Sequence, residues 1–330
     1  MSKKHTEALV VEYDRNGDAS ELQLRRRPLS PPGAGEVMVE VIASGISHID
    51  GFIRSGTETE WDEPFPRKSG SDFAGIVVEA GPDTAGFPVG SEVIGHVRTG
   101  AHATYLVVPV AALVPKPKGV GWEAAGGLYL SGATALDTLD ELRVGPGDVI
   151  VISAAAGAVG SVEAQLAKHA GARVIGTCGD RNFDYLRQLG ITPVRYGPDI
   201  QDRIHEAARG AQVTCFVDNF GQDGRDLANL LGVPAARYRS SDDRRDTELR
   251  LLGDDQEAVE HGTRQLQRLA QYAADRAFTL LISGFYPLEA IADAYADLQH
   301  LHARGKVVLG THPVTRYTSL KARDVQESRA

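Results

Sequence analysis

What this chain has little of narrows its identity first. Among 330 residues there are only two cysteines, Cys178 and Cys215. Both fall in apolar runs that read as buried strands, where a free cysteine behaves as a small apolar residue. Two cysteines make neither a disulfide framework nor a four-cysteine zinc site, so a reducing, cytoplasmic setting is expected. No apolar run approaches the ~20 residues of a membrane span. The weakly basic start around Lys3 and Lys4 has no apolar stretch behind it, so no signal peptide is expected. Basic excess is also missing: 35 Lys and Arg stand against 44 Asp and Glu, a net charge of −9. That argues against nucleic acid or an anionic membrane as partner and leaves a small-molecule substrate. There is no internal repeat. Hydrophobic content of 42 % with 24 % charged residues is that of a globular chain, and the length allows two domains.

What is present is organised around Val149–Gly160, VIVISAAAGAVG. Val149–Ile152 are β-branched and apolar in a row, the composition of a strand buried on both faces. Small residues follow, and then a helical stretch in which Val162, Leu166 and Ala170 share a face before Gly171. A second apolar strand begins at Arg173. A phosphate can sit on a first helical turn only where backbone N–H groups are approachable. Gly157 and Gly160 occupy two of the three fingerprint glycine positions, and Ala154 takes the first. The loop residues Ala156, Gly157, Ala158, Val159 and Gly160 are therefore the expected cradle of a dinucleotide.

The flanks differ in character. From Glu7 to Val108 the chain reads as short strands separated by Gly- and Pro-rich turns, with one helix at Ser47–Ser55, which predicts a small irregular barrel. From Asp148 strands alternate with helices, as in a doubly wound α/β domain, with strands near Val149–Ser153, Val174–Thr177, Pro193–Tyr196 and Val213–Asp218. Beyond Gly221 the pattern weakens. A strand is expected at Ala236–Ser240, a solvated charged loop at Asp242–Leu252, a strand at Phe278–Ile282, an amphipathic helix at Pro287–Arg304 and a last strand at Lys306–Leu309. A polar frayed tail is expected from Thr315.

Several segments occur in the order of one known family. They are Gly45–Asp50 (GISHID), Gly70–Gly75 (GSDFAG), the Pro-rich Val110–Pro117, Leu130–Ala135 (LSGATA) and the return segment from Tyr286 to Leu309. Over roughly residues 7–312 the chain resembles the medium-chain dehydrogenase/reductase superfamily. The resemblance implies an α/β protein: a GroES-like irregular β-barrel catalytic domain (1–121 and 278–330) and an inserted Rossmann doubly wound cofactor domain (122–277). The zinc-holding members carry Cys and His where this chain has Ser47, Ser71 and Leu130, and serine and leucine are poor zinc ligands or none. No metal is expected, and the closer similarity is to the zinc-free quinone oxidoreductases, zeta-crystallin-like proteins and enoyl reductases.

An acidic residue about 20 positions past the glycine loop suits an NAD ribose, and Asp180 stands there; Arg181 beside it suits a 2′-phosphate. The resemblance adds that Gly179 leaves room for the phosphate and that Tyr196 matches a tyrosine at the end of the third strand. NADPH is expected ahead of NADH. Thr134 is expected at the nicotinamide amide, and Asn219 and Phe220 at the cofactor's border. Hydride addition to an activated C=C makes an enolate, which hydrogen-bond donors stabilise. Ser47, His48 and Tyr129 are the candidate donors in a cleft between the domains. The expected activity is reduction of an enone, enoyl compound or quinone, with ring closure as a variant. Metal-free alcohol or carbonyl oxidoreduction and a non-catalytic cofactor-binding protein are the alternatives. A homodimer is expected, with an edge strand near Ala236–Ser241 as its seam.

Overall fold

The computed structural model describes residues 5–59, 61–300 and 304–311. The tail from Thr315 lies outside them. In chain order the elements begin with β1 (Glu7–Tyr13), β2 (Gln23–Pro28), β3 (Glu36–Ile46), α1 (His48–Ser55), β4 (Arg67–Lys68), β5 (Asp72–Ala80), β6 (Glu92–His96), β7 (Tyr105–Pro109) and β8 (Leu113–Pro115). Then come α2 (Trp122–Gly126), α3 (Tyr129–Leu142), β9 (Val149–Ile152), α4 (Ala158–His169), β10 (Arg173–Cys178), α5 (Phe183–Gln188), β11 (Thr192–Arg195), α6 (Ile200–Ala208), β12 (Cys215–Val217) and α7 (Gly224–Leu230). The remainder is β13 (Tyr238–Arg239), α8 (Ser241–Leu251), α9 (Gln256–Ala274), β14 (Ile282–Pro287), α10 (Ile291–His300) and β15 (Lys306–Gly310).

These elements form two compact units. The first takes the described residues up to Leu130, Leu251–Ala274 and those from Leu281 onward; the second takes Ser131–Arg250 and Asp275–Leu280. The first unit is mostly antiparallel. A sheet in the order β14-β15-β3-β5-β6-β8, with β7 also on β3, accompanies the three-stranded sheet β2-β1-β4. Alternating Val37, Val39 and Val41 of β3 pack with Phe73, Val77 and Val93 in one core cluster, as period-2 patterning requires. The last strand returns to the first half of the chain: β15 runs antiparallel to β3 with Val307 opposite Ile46 and Val308 opposite Gly45.

In the second unit the sheet order is β11-β10-β9-β12-β13, and its neighbouring strands all pair in parallel. This is the order of one half of a doubly wound fold, in which the chain reverses beside the first strand. Val149–Ile152 are buried throughout, in keeping with a central parallel strand.

Four expectations change. Asp242–Leu252 is not a loop: α8 covers Ser241–Leu251. Ser240 and Asp243 cap it reciprocally, with Ser240 N–H donating to the Asp243 carboxylate at 2.8 Å and Asp243 N–H to Ser240 Oγ at 3.2 Å. The charge run then lies along a helix as paired charges, Asp242 with Arg245 at 3.0 Å among them. The strand expected at Phe278–Ile282 starts at Ile282 instead, because it pairs with β15. The expected edge strand is only two residues long. Finally, residues 122–130 and 251–274 belong to the first unit rather than to the cofactor domain. On α9, Gly262, Gln265, Leu266, Leu269 and Ala270 form a buried stripe at helical spacing, set against β6 and β8. A glycine and a glutamine in that stripe hid its period. No helix among the described residues is long and apolar enough to cross a membrane.

Candidate functional site

In the second unit the glycine loop lies between β9 and α4. Ala154 adopts a φ of +48°, a left-handed turn that carries the chain from strand to helix. A Cβ on Gly160 would lie 2.5 Å from the Ala154 carbonyl oxygen, so only glycine lets α4 start this close to the turn. Gly157 is the N-cap of α4 and offers no side-chain cap. The first-turn amides are therefore left for an anion, where helix amides and dipole favour negative charge. Asp218, just past β12, ties the neighbouring strand end to this turn. It accepts from Ser153 Oγ at 2.8 Å, Gly221 N–H at 2.9 Å and Gly224 N–H at 3.0 Å.

The residues expected around the adenosine end come together at the ends of β10 and β11. A Cβ on Gly179 would meet the Tyr196 hydroxyl at 3.5 Å, and Tyr196 is half exposed. Asp180 does not cap α5. Its carboxylate lies 3.4 Å from the Arg195 guanidinium, a cation that sequence reasoning did not single out. Arg181 is exposed beside it. Of Asn219 and Phe220, only Phe220 is exposed; Asn219 is buried and turned inward. Its Nδ2 donates to Glu163 Oε2 at 2.5 Å and to the Ser153 carbonyl at 3.3 Å. Glu163 is fully buried in α4, and burial raises its carboxyl to about 7. Thr134 is also fully buried, on α3. The space beside Gly179, the uncapped helix start and the exposed cations fit a phosphorylated dinucleotide.

In the first unit, Ser47 and His48 stand where β3 passes into α1. They line a hollow of about 250 Å³ together with Phe52, Tyr295, Leu298 and Gln299, among others. Asp50 reaches back to the Ser47 N–H at 2.9 Å and accepts from Tyr295 Oη at 3.1 Å. The Val307–Ile46 register brings Lys306 beside Ser47. Its Nζ donates to Ser47 Oγ at 2.7 Å and lies 3.3 Å from Asp72 Oδ2. The Lys306 and Asp72 side chains are each 1 % exposed. Burial raises the Asp72 carboxyl above the usual carboxylate range, and Lys306 opposes that shift. Asp72 Oδ1 accepts from Ser71 Oγ at 3.0 Å and from Leu130 N–H at 3.2 Å. The lysine stem passes two glycines: a Cβ on Gly45 would come within 2.7 Å of Lys306 Cε, and one on Gly127 within 2.9 Å of Cγ.

Tyr129 is fully buried. Its hydroxyl donates to the Leu251 carbonyl at 2.8 Å, and its ring stacks on His96 at 4.2 Å. That contact gives the hydroxyl proton an acceptor within the protein. Ser47, Ser71 and Leu130 do not make a zinc donor set. Ser47 Oγ accepts from an ammonium group, Ser71 Oγ donates to Asp72, and Leu130 has no donor atom. A dication there would also face the Lys306 charge. Among the described residues no group of His, Cys, Asp or Glu side chains forms a metal site. Lys306 and Asp72 stand inside family-like segments, yet no spacing rule flags a pair so far apart in the chain.

Residues 33–118 match the alcohol dehydrogenase GroES-like domain family, and residues 194–309 match the family described as zinc-binding dehydrogenase. A probable mitochondrial zinc-binding oxidoreductase of Arthroderma benhamiae is 29 % identical over 318 residues, covering 88 % of this chain and 93 % of the relative. A chloroplastic quinone oxidoreductase of Triphysaria versicolor is 33 % identical over 196 residues, 56 % of this chain and 60 % of its own. The quinone oxidoreductase of Escherichia coli complexed with NADPH has the same fold, with a TM-score of 0.75 at 21 % identity over 91 % of this chain and 99 % of that one. The CurK enoyl reductase does too, with a TM-score of 0.78 at 21 % identity over 92 % and 99 %. Matches in both halves of the chain establish that it belongs to the medium-chain dehydrogenase/reductase superfamily, with quinone oxidoreductases among its relatives.

Proposed function

We propose that this oxidoreductase uses NADPH to reduce an activated C=C, in an enone, enoyl compound or quinone, and works without zinc. The observation that carries the cofactor assignment is the contact between Asp180 and Arg195. A carboxylate free to bind the ribose diol would favour NADH; this one faces a guanidinium. Arg195 offsets the Asp180 charge, and its guanidinium stands with Arg181, Gly179 and Tyr196 where a 2′-phosphate would bind. The Ala156–Gly160 backbone would hold the pyrophosphate, Thr134 the nicotinamide amide by superfamily resemblance, and Phe220 would border it. When bound, NADPH supplies a hydride.

Addition at the far carbon of the C=C moves negative charge to the carbonyl oxygen. Ser47 donates its hydroxyl hydrogen bond to that oxygen, and His48 or water delivers the proton that completes the reduction. Hydride plus one proton balance the two hydrogens gained. Tyr129 is assigned no part in this step, its hydroxyl proton going to the Leu251 carbonyl. The E. coli neighbour's bound NADPH and the CurK neighbour's being an enoyl reductase support the reading.

The test is a fluorescence titration with NADPH and NADH of the wild type, Arg181→Ala and Arg195→Ala. A charge-assisted hydrogen bond is worth ~1.5–3 kcal/mol, so each variant should lose roughly 10- to 100-fold in NADPH affinity and little for NADH. Tighter NADH than NADPH binding in the wild type overturns the assignment.

A further inference from the structure

The geometry points to Lys306 as the residue that positions and polarises Ser47, directing the serine's one hydroxyl proton away from the protein and toward the developing oxyanion of the substrate. This rests on the reading of Ser47 as the oxyanion donor given above. An ammonium group has three donors and no acceptor. At 2.7 Å from Nζ, Ser47 Oγ is therefore the acceptor in that bond, and its own proton must go elsewhere. No protein acceptor for it is found among the described residues, and Ser47 lines the hollow shared with His48 and Phe52. Accepting a bond from a cation makes the serine O–H a stronger donor, since linked hydrogen bonds polarise one another.

The fold invests heavily in this placement. The lysine stem is 1 % exposed, it runs past two glycines that no larger residue could replace without a shift, and its charge is met by a buried carboxylate at 3.3 Å. An ion pair kept only for stability could be replaced by apolar residues at no loss. Here the ammonium lies closer to Ser47 Oγ, at 2.7 Å, than to its counter-ion, at 3.3 Å.

The variant must avoid leaving a lone buried charge, which is strongly destabilising. Lys306→Met with Asp72→Asn removes both charges, and Asn Oδ1 keeps its bonds from Ser71 and Leu130. Lys306→Gln with Asp72→Asn is the second variant, holding a neutral donor near Ser47. Folding is confirmed by circular dichroism. NADPH-dependent reduction of 2-cyclohexenone and of 1,4-benzoquinone is then followed in the wild type, Ser47→Ala, each double variant and the double variants combined with Ser47→Ala. Binding of 4-nitrophenolate, an oxyanion mimic, gives a readout without turnover.

Loss of one oxyanion donor costs roughly 10²–10³ in kcat. Ser47→Ala is expected to show such a loss. The Lys306→Met pair should show a smaller loss of the same kind, with weaker phenolate binding and an unchanged KM for NADPH. In the Ser47→Ala background the Lys306 change should have no further effect, because its route is gone. Multiplying losses in the combined variant, or wild-type kcat in both double variants, would overturn the role of Lys306 while leaving Ser47 as donor. Full kcat in Ser47→Ala would remove the donor reading itself, and the Lys306 inference with it.

Discussion

Glu163→Gln is a perturbation whose sign and size follow from where the carboxyl sits. Glu163 lies in α4 with no exposed surface, and its nearest polar contact is the Asn219 amide at 2.5 Å. Burial raises its carboxyl from 4.5 to about 7; Asn219 and Arg244 pull it down, and Glu248 pushes it up. Between those two values the folded chain binds more protons here than the unfolded chain does. Stability therefore falls as pH rises through that window. At about 1.4 kcal/mol per pH unit, the group costs on the order of 3 kcal/mol above pH 7 and nothing below the unfolded value. Glutamine has the same shape, no charge, and a carbonyl oxygen that accepts from Asn219. The variant should thus be more stable than the wild type by about 3 kcal/mol at pH 8 and equal to it near the unfolded value. Urea unfolding followed by circular dichroism across that pH range measures the difference. A stability gap that does not change with pH, or a variant weaker at pH 8, would refute the reasoning.

Two further perturbations test the sites. Ala154 carries a φ of +48°, a conformation that costs an L-residue roughly 1–2 kcal/mol. Allowing for glycine's larger entropy loss, Ala154→Gly should stabilise the chain by ~1 kcal/mol and raise its Tm without weakening NADPH binding; a lower Tm would contradict the strain. Tyr129→Phe should keep kcat but lower stability by ~1–3 kcal/mol, because the buried Leu251 carbonyl loses its donor. A kcat loss of the ~10²-fold expected for a missing general acid, at unchanged stability, would restore Tyr129 to the chemistry.

The sequence alone determined the strands β9 to β12 of the second unit and its glycine loop. Strand, turn, helix and strand follow one another within about 30 residues, so β-branched runs, Gly157 and Gly160 state the structure locally. The barrel's short strands were legible for the same reason, through alternation and turn residues. Where the pattern was carried by Gly262 and Gln265, as on α9, or by paired charges, as on α8, hydrophobicity gave no period to read. The candidate site in the first unit was decided only by tertiary structure. Ser47 and Lys306 are 259 positions apart, and it is the pairing of β15 with β3, one residue short of each, that sets the ammonium against the hydroxyl. Asp180 shows the same dependence. In the sequence it is the acidic residue of an NAD site; in the fold, parallel pairing of β10 with β11 lays Arg195 against it. A side chain's type is written in the chain, but which charge answers it depends on strand register, which non-local burial fixes.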